Sequence, residues 1–230
     1  MDKQTEDELT QIAKKNYEEI ASQYNETRKK HLEPLWSTLV SLAQEVKAGA
    51  KVLDVGCGNG RLLEAFGDKQ INYLGIDPCK KLVNLARRQK PGFRFELGNV
   101  LKLNELEEEG FDCIFSTAVI HHLPGRGLRF KAFVGMKEKL NSEGKIIITV
   151  WNMWPQKRFR KLIFKYSVLK LLGRNKMDWG DIIFKGFNKN SDRYYHVFTK
   201  AGLKKIARCS GLTIEKLYKD EYNYYLILRK

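Results

Sequence analysis

The chain has 230 residues, 43% hydrophobic and 11% aromatic. That is one generous domain with enough apolar mass for a core, so disordered and low-complexity classes are excluded. Lys and Arg total 42 against 27 Asp and Glu, and the net charge of +15 biases the surface toward polyanions such as nucleic acid or acidic lipid.

Residues 1–50 read as peripheral helices. Tyr17, Ile20 and Tyr24 recur at i, i+3, i+7 on one stripe, and Pro34 opens a second helix running to about Lys47 and stopped by Gly49. Val52 to Val55 reads as a buried strand, followed by a glycine-rich turn and a helix from about Arg61. Asn72 to Ile76 is a second strand ending at Asp77, and Pro78 opens another helix. Phe93 to Leu97, Phe111 to Phe115 and Lys145 to Val150 are three more strands, with a helix around Leu128–Leu140 between the last two. Strands alternating with helices imply a parallel sheet wrapped on both faces, an α/β fold. A helix near Thr199–Ser210 then precedes strands at about Thr213–Tyr218 and Tyr222–Leu228, whose tight link suggests an antiparallel pair closing the sheet. Residues 151–198 break this alternation as a basic insertion: from Gln156 to Asn190 there are ten Lys or Arg and two Asp.

The four cysteines (Cys57, Cys79, Cys113, Cys209) form no CxxC pair, so no metal site is assigned. The polar N-terminus does not read as a signal peptide, and no apolar run approaches the roughly 20 residues that span a bilayer. The expectation is a cytoplasmic protein without stable membrane insertion.

The segment Asp54-Val-Gly56-Cys-Gly58-Asn-Gly60 sits between a strand and a helix, where glycines let the backbone approach a ligand. A dinucleotide-binding loop uses GxGxxG at the same place, but here the spacing is GxGxG and Arg61 occupies the position of the third small residue. Asp54 lies two residues before the first glycine, where a carboxylate would repel a pyrophosphate and attract a cationic sulfonium with an α-amino group. That points to S-adenosylmethionine. Asp77 can accept hydrogen bonds from both ribose hydroxyls, or serve as a helix cap before Pro78. Gly98-Asn99-Val100 follows the third strand, where Asn99 is placed for the adenine amino group.

Across roughly residues 50–150 and the closing hairpin, these features resemble the class I S-adenosylmethionine-dependent methyltransferases. The resemblance implies a Rossmann-like seven-stranded sheet of order 3-2-1-4-5-7-6, strand 7 antiparallel and helices on both faces. Residues 1–230 would form a single domain. It also implies Gly56, Gly58 and Gly60 along the methionine and ribose portions, Asp77 on the ribose, Asn99 and Val100 at the adenine, and Ser116 to Ala118 at the methionine end.

A narrower resemblance rests on Thr117-Ala-Val-Ile-His121-His122, on Trp151 and on Arg193-Tyr194-Tyr195-His196. These are similar to the methyltransferases that esterify the carboxymethyl group on the wobble uridine of transfer RNA. Asn25-Glu26-Thr27-Arg28 resembles that branch's amino-terminal stretch, and Arg28 is the residue carried over. In the closing hairpin, Glu221-Tyr222-Asn223-Tyr224-Tyr225 keeps the Asn and the aromatic character of the branch's Asp-Asn-Trp-Trp-like stretch, with both Trp replaced. The resemblance implies tRNA as a partner, and a small zinc-binding activator protein beside the cofactor site.

The chemistry agrees with a carboxylate acceptor. A carboxymethyl group has a pKa near ~4, is ionised at neutral pH and needs no general base. An arginine fork from Arg28 or Arg193 and aromatic walls from Trp151, Tyr194 and Tyr195 would hold it in line and exclude water. A phenol or amine acceptor would instead call on His121 or His122 as base. A methyltransferase of a small or lipid-like acceptor and a non-catalytic RNA-binding module on the same fold are the other readings. For the insertion, Phe159, Leu162, Ile163, Tyr166 and Leu169 follow helical spacing with Lys157, Arg158, Lys161 and Lys165 on other faces. A grip on tRNA phosphates, a membrane-surface helix and a helical lid over the sheet all fit that pattern.

Overall fold

A computed structural model describes residues 1–27, 33–186 and 191–230, with side chains for all of these except 16–27. The sheet grows outward from β1 (Lys51–Val55), whose last four residues are buried, as expected of a strand covered on both faces. On one side lie β2 (Asn72–Asp77) and the edge strand β3 (Arg94–Leu97); on the other lie β4 (Phe111–Thr117) and β5 (Leu140–Trp151), all parallel. The chain's last strand, β9 (Asn223–Arg229), enters antiparallel between β5 and β8 (Thr213–Lys219). The order β3-β2-β1-β4-β5-β9-β8 is the expected 3-2-1-4-5-7-6 once the two strands of the insertion are set apart.

Strand alternation divides the core. Leu53, Ile114, Ile148 and Leu226 pack on one face with α4 (Arg126–Lys139) and α6 (Lys200–Cys209). Their neighbours Val52, Phe115, Ile147 and Tyr225 pack on the other with α2 (Leu35–Gln44) and α3 (Lys80–Gln89). Such two-sided burial is why these strands read in sequence as unbroken apolar runs. The long helix α1 (Lys3–Thr27) packs on α3 and on the insertion. The predicted stripe of Tyr17, Ile20 and Tyr24 lies in α1, but those side chains fall outside the described residues. No helix of the described residues is long and apolar enough to cross a membrane.

Three elements differ from the sequence reading. Arg61–Phe66 is a 3₁₀ helix, bounded by Gly60 and Gly67, both at positive φ. β5 starts at Leu140 because α4 passes straight into the strand: Leu140 caps the helix with extended dihedrals and already pairs with Phe111. In the insertion, α5 (Lys157–Leu171) is followed by an unforeseen hairpin of β6 (Asp181–Lys185) and β7 (Asp192–His196), a separate two-stranded sheet.

Phe159 and Ile163 of α5 pack on Ile182, Tyr195 and Val197 of this hairpin unit. A buried polar knot ties the hairpin to α4. Arg129 reaches Asp178 at 3.1 Å and Asp181 at 3.7 Å, the Tyr194 hydroxyl donates to Asp181 Oδ1 at 2.9 Å, and His196 Nδ1 lies 2.7 Å from the same oxygen.

Candidate active site

A cavity of about 540 Å³ opens at the carboxyl ends of β1, β2 and β4, where the strand order reverses and open α/β sheets bind their ligands. Its floor is the glycine loop. Gly56, Gly58 and Gly60 all have positive φ (77°, 57° and 76°). Gly56 is the position where side-chain-free backbone is indispensable: a Cβ there would stand 2.3 Å from Val119 Cγ2. Gly56 and Gly58 line the cavity, whereas Gly60 packs on Phe95, whose ring lies 2.7 Å from where a Cβ would be.

Asp77 ends β2 on the cavity wall. Its Oδ2 accepts the Gly58 N–H at 3.0 Å and its Oδ1 accepts the Cys79 N–H at 2.8 Å. The carboxylate therefore supports the loop and the turn into α3 at once, with lone pairs remaining for a ligand. Burial raises its pKa, and the two N–H donors pull it back. Asn99 and Val100 also line the cavity, and Asn99 Oδ1 accepts the Leu101 N–H at 2.9 Å, so an adenine amino group would share that oxygen. With Leu82, Leu101 and Leu103 beside them, they make an apolar slot with a polar edge.

The other acidic candidate sits elsewhere. Asp54 is buried beneath the loop, off the cavity wall, and accepts the Tyr73 hydroxyl at 2.8 Å. Burial pushes its carboxyl up to about 7, against the downward pull of that hydrogen bond. Asp54 therefore backs the loop and does not stand on the cavity wall, contrary to its expected place beside a cationic ligand. Cys57, in the same loop, has a buried thiol whose pKa burial raises well above the ordinary value, which leaves it unreactive.

At the end of β4, Thr117 and Ala118 line the cavity, and Ser116, on the alternate face, does not. Thr117 Oγ1 is buried and without a hydrogen-bond partner among the described residues. Ala118 adopts φ +60°, held by its N–H, which donates to Thr149 O at 3.0 Å and Thr149 Oγ1 at 3.1 Å. A strained non-glycine residue on the wall of a cavity marks backbone fixed for a ligand. The sequence reading missed Thr149, which lies among apolar neighbours in β5. It also missed Thr10, Ala13 and Lys14 of α1, which cover the cavity from a distance no local pattern encodes.

Of the acceptor-end candidates among the described residues, only His122 lines the cavity. His121, Trp151 and Tyr195 form one aromatic stack: Tyr195 lies 5.1 Å from each of the other two rings, with interplanar angles of 21° and 17°. His121 is fully buried, its Nδ1 3.4 Å from the Trp151 N–H, and it is His122 that reaches the cavity. Burial drives the pKa of His121 far below its ordinary value and that of His122 down to about 3, where Arg193 adds to the effect. Both imidazoles are neutral near pH 7. Arg193 is buried, packed across the hairpin from Gly186. Tyr194, predicted as an aromatic wall, does not line the cavity, because its hydroxyl is engaged in the Asp181 knot. Arg28 lies outside the described residues.

The cavity's residues fit S-adenosylmethionine. Gly56 leaves no room for a Cβ, the buried Asp77 carboxylate stands on the wall, an apolar slot adjoins Asn99, and Thr117 brings a hydroxyl without a described partner at the end of β4. Comparison with known proteins agrees. The family described as "Methyltransferase domain" matches residues 53–148. A protein of Encephalitozoon cuniculi whose name places it among methyltransferases is 30% identical over 219 residues, covering 93% of each chain. The Schizosaccharomyces pombe tRNA (carboxymethyluridine(34)-5-O)-methyltransferase is 26% identical over 234 residues, 93% of this chain and 94% of that one. The mouse "Probable tRNA methyltransferase 9B" is 32% identical over 170 residues, and the chain spans only about a third (36%) of its length. Among solved structures, the Burkholderia thailandensis 1,6-didemethyltoxoflavin-N1-methyltransferase with bound S-adenosylhomocysteine superposes with a TM-score of 0.68 at 16% identity, over 98% of this chain and 90% of that one.

Proposed function

This chain belongs to the class I S-adenosylmethionine-dependent methyltransferases, and on that premise we propose that it esterifies the carboxymethyl group of a wobble uridine in tRNA. The observation that carries the reading is the state of the two histidines at the acceptor end. Burial keeps His121 and His122 neutral, so neither is a base tuned to neutral pH, and a carboxylate acceptor requires none. S-adenosylmethionine supplies a sulfonium methyl, which a carboxylate oxygen takes as the C–S electron pair returns to sulfur, with no proton to move. The protein's work is then placement. His122 presents an uncharged ring to the cavity; Trp151, Tyr195 and Arg193 lie behind it and not on the cavity wall, where the aromatic stack fixes the imidazole and Arg193 places positive charge close to it. Arg28 is assigned to the carboxylate clamp by its resemblance alone. The relation to the fission yeast enzyme over nearly the whole of both chains supports the same acceptor.

A small zinc-binding activator is assigned to the free edge of β3. Phe95 is buried against Tyr73 and its carbonyl accepts from Arg87 Nε at 2.8 Å, but Leu97 is 60% and Phe93 39% exposed, leaving apolar surface at an edge that no further described strand covers. Arg94 bridges Glu96 and Glu108 across the same edge.

The pH–rate profile tests the carboxylate reading. With tRNA bearing carboxymethyluridine, the profiles of the wild type and of His122→Gln have the same shape through neutrality. A limb near pH 6.5 that vanishes in His122→Gln overturns the reading in favour of a phenol or amine acceptor.

A further inference from the structure

Two helices outside the cavity carry rows of unneutralised charge. On α5, Lys157, Lys161 and Lys165 recur at i, i+4, i+8; on α6, Lys200, Lys204 and Arg208 do the same. At a rise of ~1.5 Å per residue, successive charges in each row stand about 6 Å apart along the helix. All six are exposed, neither helix contains an acidic residue, and none of the six forms an ion pair with a described residue. Some basic residues elsewhere are partnered, such as Lys145 with Glu215, Lys185 with Asp192 and Lys90 with Glu64.

Trp154 ties together the N-terminal ends of both helices. Its indole Nε1 donates to Phe198 O at 2.9 Å, one residue before the Thr199 cap of α6, and its carbonyl lies 3.4 Å from Nη1 of Arg160 in α5. Trp154 stands three residues beyond Trp151, so the junction lies beside the acceptor end of the sheet. Its ring remains 36% exposed.

We propose that the α5 and α6 rows, joined at Trp154, are the docking surface for the phosphodiester backbone of a folded RNA acceptor. The inference rests on the RNA reading of the acceptor and assigns the part of the chain that holds the RNA. Regularly spaced point charges suit a phosphate chain, and the indole suits base or ribose stacking at the junction. The outer face of α6 is made of Lys200, Ala201, Lys204, Lys205 and Arg208, with no large apolar side chain to enter a lipid surface. Exposed Phe164 and Leu171 occur farther along α5, which makes anionic lipid the competing occupant for that helix alone.

The test is binding of an unmodified tRNA transcript to the full chain saturated with S-adenosylhomocysteine, from about 50 to 300 mM salt. Lys200→Gln/Lys204→Gln/Arg208→Gln and Lys157→Gln/Lys161→Gln/Lys165→Gln should each weaken binding about tenfold or more. Each should also reduce the slope of log K against log salt by about 2–3, because three phosphate-neutralising charges are removed. Trp154→Ala should weaken binding with an unchanged slope, and S-adenosylhomocysteine affinity should stay at the wild-type value in both triple variants. Wild-type affinity and slope in the α6 variant overturn the proposal. So does an α5 variant that keeps RNA binding but no longer sediments with phosphatidylserine vesicles. Because the transcript carries no modified uridine, loss of RNA binding in both triple variants supports the surface even if no ester is ever formed. Ester formation with an unchanged KM for tRNA in the α6 variant rejects the surface and spares the carboxymethyl reading.

Discussion

Replacing Asp77 separates a ligand contact from a purely structural acid. The carboxylate receives N–H donors from Gly58 and Cys79, lines the cavity and is 8% exposed, so its bonds are little screened by water. A hydrogen bond to a charged group contributes about 1.5–3 kcal/mol, and a buried donor left unmet costs about 1–3 kcal/mol. Asp77→Ala therefore removes two internal acceptors as well as those available to ribose. It should weaken S-adenosylhomocysteine binding at least tenfold, about 1.4 kcal/mol. A stability loss of about 2–3 kcal/mol would lower Tm by roughly 4–12 °C for a chain of this size. Calorimetry with S-adenosylhomocysteine and its 2′-deoxy analogue distinguishes the two roles. Wild type should prefer the parent ligand, and Asp77→Ala should bind both alike. A folded variant that retains wild-type affinity, or one that still discriminates the two ligands, would refute the assignment of Asp77 to the ribose.

Three further outcomes follow from buried groups. Burial raises Asp54 from 3.8 to about 7, so the native state holds a proton that the unfolded chain has released; stability of the free protein should fall as pH rises from about 4 to 7. Asp54→Asn should flatten that decline in urea midpoints, and an unchanged slope would contradict the placement. Gly56→Ala should cost about 1–3 kcal/mol through its contact with Val119 and its positive φ, with partial recovery in Gly56→Ala/Val119→Ala; failure of that recovery removes Val119 as the cause. Asp181→Asn should cost about 1–3 kcal/mol by weakening the acceptor of Tyr194 and His196, while Arg129 keeps Asp178 at 3.1 Å. Hydrogen exchange should then rise first in β6 and β7, and uniform exchange across the sheet would show that the knot does not hold the hairpin.

The strands were legible because each central strand is buried on both faces and reads as a short apolar run ending at a loop with chemistry in it; their order was legible only through the family resemblance that the glycine loop carries. Val52 to Val55 before the glycines and Asn72 to Asp77 before Pro78 are such units. β6 and β7 were not legible. They are short, partly exposed, and embedded in a stretch whose dominant local signal is positive charge, while their stabilising partners are Arg129 and α5 rather than sequence neighbours. At the site, Gly56, Gly58, Asp77, Asn99 and Ala118 were readable as cavity-lining positions because they stand at or just beyond strand ends. Which of two adjacent histidines reaches the cavity depends on the phase of the three-residue turn Ile120–His122, and no sequence periodicity reports that phase. Tyr194 reads as a free aromatic wall because its partner Asp181 sits on the opposite strand of a hairpin that the local sequence does not announce.

Nucleoside mass spectrometry tests the central claim most directly. The enzyme, alone and with the proposed zinc-binding activator, is incubated with S-adenosylmethionine carrying a labelled methyl group and with tRNA containing 5-carboxymethyluridine. The labelled methyl should appear in a base-labile methyl ester on that nucleoside and be absent from tRNA lacking the carboxymethyl group. Label on a ring nitrogen, on a ribose, or on a small acceptor in place of tRNA would contradict the account.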